Sequence, residues 1–250
     1  MIRVTPYNLS AYSAPNINRH KGESFTSEPI GQAASRAYPV DVFVLPNPQK
    51  SSLPWVKDEN LLTALDKLAQ VRFDKKDVRY VQALGVVLPF SGGQEALDFI
   101  KEKHIGIKFE SLSSVSTHAQ YDFDTNCILI NDIYKNTKNS AEILAIAEAI
   151  LHEAGHAKDQ DGVSTVQEEL DCLSMNAISH RFMSKNNPNI FDNESSLIIK
   201  DGVRVYADLL FDSDPSKARL VERLRQKYGH LPAGDFSHSP SELALMVKNS

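Results

Sequence analysis

Between residues 60 and 71, Leu61, Leu62, Leu65, Leu68 and Val71 recur every three or four positions, the pattern of a helix with one buried face. A second stripe, Ile143, Leu144, Ile146, Ala147, Ile150 and Leu151, predicts a helix running to about Lys158. Asn139 is placed to cap it, with Glu142 at capping-box spacing. Shorter apolar runs carry strand signals: residues 83–88, ended by Pro89, and residues 105–109. Residues 119–124 and 127–131 flank the turn residues Asp124, Thr125 and Asn126, which predicts a β-hairpin. Ser91-Gly92-Gly93 reads as a turn before a short helix over 94–103. Ser164 or Thr165 can cap a further helix reaching about Met183, and 185–189 reads as a loop. Helical patterns continue over 195–211, from Asp214 or Ser216 to about Tyr228, and from Ser239 to about Lys248.

These elements predict an α+β protein. A small mixed sheet with an edge β-hairpin packs on the 143–158 helix and on a backing helix that follows it, and the C-terminal part is helical. Residues 1–54, rich in Ser, Pro, Asn and Tyr, predict an extended or partly disordered leader, in which the apolar run 40–45 is a strand or docks on the body. Residues 55–212 form the main domain and 213–250 a C-terminal helical extension.

A net charge of −5 over 250 residues argues against a broad surface for nucleic acid or anionic membrane. No apolar run approaches the roughly 18 residues of a membrane span, and the N-terminus lacks the apolar core of a secretory signal. A cytoplasmic protein without nucleic-acid or membrane partners is the expectation. Cys127 and Cys172 are too few for a disulfide framework and are expected to be small buried residues, with zinc ligation by Cys172 a minor alternative.

The chemistry concentrates in His152-Glu153-Ala154-Gly155-His156. On a helix the two histidines share one face, with Cβ atoms about 5–6 Å apart, and can grip a metal between them. Neutral imidazoles are common zinc ligands, and Glu153 could take a proton from a metal-bound water, which points to a zinc hydrolase acting on peptides. Gly155 costs up to about 1 kcal/mol relative to alanine inside a helix, a cost that makes sense if a neighbouring backbone or substrate comes close.

The motif, with the hairpin before it, resembles the zincin metallopeptidases, the H-E-x-x-H superfamily, over roughly residues 121–183. The resemblance implies a zinc cofactor, a peptide or protein substrate, and a strand before the motif helix that borders the cleft and pairs with extended substrate. Ile128, Leu129 and Ile130 would form that edge. The metzincin branch is excluded, because Asp159 stands at its glycine position and Gly162 at its final histidine position. The gluzincin branch takes its third ligand from a following helix. By that resemblance Glu168 is the preferred ligand, since it shares a stripe with Asp171, Cys172 and Met175, and Glu169 is the alternative. Asp171 would ligate or hold a histidine through its second nitrogen, and His180 is a distant candidate. Tyr206, His230 and His238 are candidates for stabilising a tetrahedral intermediate, and nothing in the sequence singles one out. Two other readings compete. One is an inactive zincin-derived domain with a structural zinc that acts as a protein-binding module; the other is a metal-free helical protein with an accidental motif.

Overall fold

Asp58 opens the first helix, α1 (Glu59–Gln70), where its carboxylate accepts from the backbone N–H groups of Asn60 (2.9 Å) and Leu61 (3.3 Å). Leu61, Leu65 and Leu68, the predicted stripe, are buried. The computed structural model describes residues 53–159, 164–191, 196–199, 207, 210, 211, 227, 228 and 231. The predicted leader, the 40–45 run and the helices predicted over 195–211, 214–228 and 239–248 lie wholly or mostly outside these residues.

The strand predicted over 83–88 is not there. Asp74 instead caps a short helix, α2 (Lys75–Gln82), through a bond from Lys76 N–H (2.7 Å). The chain then turns through Gly85 at φ 81°, a left-handed conformation that glycine adopts without penalty. Val87 N–H, which would have joined a ladder, donates to the Asp171 carboxylate (3.0 Å). A run of apolar residues signals burial, and here a side chain far along the chain satisfies the backbone in place of a neighbouring strand.

After α3 (Gly93–Glu102) come β1 (Gly106–Glu110), β2 (Ala119–Asp122) and β3 (Cys127–Asn131), a mixed sheet in the order β1-β3-β2. The predicted hairpin is β2 with β3, antiparallel, and β1 pairs with β3 in parallel. Asn131 N–H donates to His118 O (2.9 Å), so in the alternating antiparallel ladder the backbone groups of Ala119 and Tyr121 face away from β3. The sheet order corrects the substrate-edge expectation: Ile128, Leu129 and Ile130 lie on the central strand, paired on both sides, and the strand beside the motif helix with outward-facing backbone is β2.

Helix α4 (Ser140–Lys158) carries the motif and is the centre of the core, buried on nearly every face. Asn139 caps it through Ala141 N–H (2.9 Å). The expected return bond from Glu142 is absent: Asn139 N–H donates to Thr137 Oγ1 (3.0 Å), and the Glu142 carboxylate accepts from the hydroxyls of Thr137 and Ser196. Helix α5 (Val166–Asn186) packs against α4 and runs into the predicted loop. Among the described residues the fold is thus mixed α+β, with five α-helices around three strands. No described helix is long and apolar enough to cross a membrane.

His118, just before β2, is buried, and its Nδ1 lies 2.7 Å from the Tyr134 hydroxyl. Burial, with the charge of Lys227 adding to it, lowers its pKa from 6.5 to about 4. Between those two values the unfolded chain binds a proton that the folded chain does not, so stability falls as pH drops below 6.5. The loss amounts to roughly 3 kcal/mol by pH 4 and then stops growing. His118→Gln is expected to flatten the dependence of Tm on pH between 6.5 and 4; an unchanged slope would show that His118 is not the group responsible.

Candidate metal centre

Two helical turns of α4 and the first turns of α5 bring the site together. His152 and His156 point their Nε2 atoms at each other, 3.0 Å apart, with ring centroids 4.8 Å apart and planes at 70°. Glu169 faces both: its Oε1 is 3.6 Å from His156 Nε2 and its Oε2 is 3.8 Å from His152 Nε2. All three residues are buried, and their candidate ligand atoms lie within 4.8 Å of one another. Glu153, also buried, sits beside them, with the backbone N–H of Tyr121 on β2 near enough to its carboxylate to favour the charged form.

The geometry reverses the preference between the two glutamates. Glu168 lies behind His156, where its Oε1 is 2.6 Å from the ring Nδ1. Its Oε2 accepts from Thr165 N–H (3.2 Å), and Thr165 Oγ1 accepts from Glu168 N–H (3.1 Å), a reciprocal capping box. With one oxygen fixed at the helix start and the other on the outer nitrogen of His156, Glu168 turns away from the Nε2 atoms. Asp171 serves neither expected role, since its Oδ1 accepts from Val87 N–H and from Gln167 Nε2 (2.8 Å). His180 pairs with buried Glu148 on α4 (3.1 Å), separate from the group around His152. Cys172 is buried against Gly155 and is not part of that group. Tyr206, His230 and His238 lie outside the described residues.

Three neighbours escaped the sequence reading. Asn176 places its Nδ2 3.5 Å from His152 Nδ1, and this follows from its position seven residues, two turns, past Glu169. Tyr121 acts through its backbone, which no side-chain motif reveals. Lys227 is brought to Glu169 by tertiary packing alone; burial pushes its pKa down to about 8, opposed by the Glu169 charge.

The electrostatics are those of a cation site. Burial by itself lowers His156, but the Glu168 hydrogen bond and the charges of Glu169, Glu153 and Glu168 outweigh it and push the imidazole up to about 10. Burial lowers His152 well below its ordinary value, and the His156 and Lys227 charges add to this. The two histidines are thus pushed in opposite directions, His156 towards its charged form and His152 towards its neutral form. Burial raises Glu169 too, against the His156 and Lys227 charges. Glu153 is raised to about 7 by burial, opposed by His156 and reinforced by Glu169.

A metal fits these residues on two counts. Glu169 Oε2 is buried and accepts no hydrogen bond, a costly state for a carboxylate oxygen that a bound cation would relieve. Neighbouring ligands of a tetrahedral zinc with bonds of 2.0–2.1 Å stand about 3.3 Å apart. Here the two Nε2 atoms are 3.0 Å apart, a different Glu169 oxygen approaches each of them, at 3.6 and 3.8 Å, and one ligand atom from each residue can be chosen within 4.8 Å of the others.

Gly155 explains how α5 comes this close. A Cβ at position 155 would lie 2.5 Å from Cys172 Sγ and 3.4 Å from both Met175 Cε and Pro89 Cγ. The close approach foreseen from the sequence is therefore by side chains of the backing helix and of Pro89. Gly155→Ala is expected to destabilise the protein by about 1–3 kcal/mol, the usual range for overpacking. Cys172→Ala in the same chain is expected to recover most of that loss in a denaturant titration. If Gly155→Ala is as stable as the wild type, the contact does not require glycine.

No protein-family model matches the chain, and no curated protein or solved structure matches it. What the site does follows from its own geometry.

Proposed function

We propose that His152, His156 and Glu169 hold a zinc ion and that the chain is a metal-dependent peptide hydrolase of zincin type. The observation that carries this is the convergence of two imidazole Nε2 atoms and an unsatisfied buried carboxylate oxygen, with a second carboxylate, Glu153, alongside. Two histidines and a glutamate are one of the ligand sets of catalytic zinc, which leaves a fourth position open. An antiparallel edge strand beside the motif helix, with a glutamate from the next helix, also agrees with the zincin resemblance.

Bound zinc would supply a Lewis acid for the scissile carbonyl and lower the pKa of a coordinated water to about 7. The chain's own groups do the rest. Glu153, a buried carboxylate beside the three residues, is suited to accept a proton from the attacking water and return it to the leaving amine. The nearby Tyr121 N–H favours its charged form. Glu168 fixes the His156 ring through Nδ1, and Asn176 Nδ2 stands 3.5 Å from Nδ1 of His152. The outward backbone groups of Ala119 and the carbonyl of Tyr121 offer a short edge for an extended peptide.

Elemental analysis of the purified full chain, with an assay on a mixed peptide library, tests this. One zinc per chain and chelator-sensitive cleavage are expected. A folded protein that takes up no zinc after reconstitution would end the proposal, and stoichiometric zinc without cleavage would move support to the binding-module reading.

A further inference from the structure

One turn beyond Glu153 on α4, at Ala157, a cavity of about 290 Å³ opens between the helix and the end of the sheet. Its walls are Ile105, Tyr121, Phe123 and Ala157, completed by Lys103 and Asn126. Ile105 and Ala157 are buried and the Tyr121 and Phe123 rings stack edge to face at 4.6 Å. The polar groups around it are engaged among themselves. Tyr121 Oη donates to Asn126 Oδ1 (2.7 Å), Asn126 Nδ2 donates to Lys103 O (3.1 Å), and Lys103 Nζ pairs with Glu102 (3.2 Å). What remains for a ligand is apolar surface, in a volume at or below the low end for small-molecule sites and suited to one side chain.

Tyr121 joins this cavity to the proposed catalytic group, since its side chain lines the cavity and its backbone N–H lies near the Glu153 carboxylate. Ala157 joins them from the other side, because residues four apart on a helix are neighbours. We infer that the cavity is the specificity pocket of the site and takes one bulky apolar side chain, of the leucine or phenylalanine class, from a peptide held at Glu153. The inference rests on the peptide-hydrolase reading. Ile105, Phe123 and Ala157 set the preference by shape and do not touch the reacting bond.

The protein holds its own reporter. Trp55, the only tryptophan in the chain, donates Nε1–H to Ile105 O (3.0 Å) at the wall of the cavity. Titration of the full chain with blocked tripeptides acetyl-Ala-Xaa-Ala-amide, with Xaa as Phe, Leu, Ala or Asp, is read by tryptophan emission. The Phe and Leu peptides are expected to bind saturably and about tenfold to a hundredfold more tightly than the Ala and Asp peptides. Ala157→Leu, which fills the cavity, is expected to abolish that difference, and Phe123→Ala, at a half-buried wall position, to reduce it about tenfold. Equal binding of the four peptides, no saturable change in the wild type, or a full preference retained in both variants would each overturn the assignment. Cleavage of the same peptides is scored separately: the preference without any cleavage would refute the hydrolase while the pocket stands.

Discussion

Glu153→Gln is expected to lower peptide turnover by about 10²–10⁴-fold, the usual contribution of a general base, while leaving one zinc per chain. Glu153 is not one of the three residues whose ligand atoms converge, His152, His156 and Glu169. Its removal therefore takes away the proton acceptor and spares the ligands. Glutamine has nearly the same shape, so the buried packing around position 153 is kept. The loss is expected in kcat with KM little changed, because the proton moves only as the bond is made and broken. Retained hydrolysis in this variant would refute Glu153 as the base, and lost zinc would make it a ligand.

The sequence carried the chemistry further than the topology. His152 and His156 were legible because helical spacing alone puts them on one face, whatever surrounds the helix. The hairpin was legible because alternation and turn residues are local signals. The place of β3 in the sheet was not, because it depends on β1 arriving in parallel from the far side, and order along a chain does not set order across a sheet. Residues 83–88 misled for a related reason. An apolar run reports burial, and the groups that took up its backbone bonds came from α5.

The choice between Glu168 and Glu169 was half legible. Successive helical residues differ by about 100° in direction, so a stripe drawn from Asp171 and Cys172 points to Glu168, whereas the residues that converge include Glu169. Asp171 and Cys172, used to draw it, face Val87 and Gly155. Yet Thr165-Val166-Gln167-Glu168 is an S/T-x-x-E capping box in plain view. A glutamate that returns to its own helix start is already committed, and that signal could have turned attention to Glu169.

The sharpest test of the site compares these two glutamates. Glu169→Ala removes the carboxylate that faces both Nε2 atoms, and the purified variant is expected to hold almost no zinc. Glu168→Ala leaves all three ligand residues in place but takes the acceptor from His156 Nδ1, so zinc affinity is expected to fall by about 10–100-fold, with full occupancy recovered at saturating metal. Because it also breaks the capping box, its folded state should lose about 1 kcal/mol even without metal, a cost that Glu169→Ala does not share. Glu168→Gln divides the two roles of that residue. Its carbonyl oxygen can still accept from the ring while the charge is gone, so zinc affinity should lie between wild type and Glu168→Ala. The opposite pattern, zinc kept in Glu169→Ala and absent from Glu168→Ala, would mean that the capping box opens when metal binds and that Glu168 swings inward. In that case the separation of the Nε2 atoms would still describe a metal grip, but α5 would close it through the other glutamate.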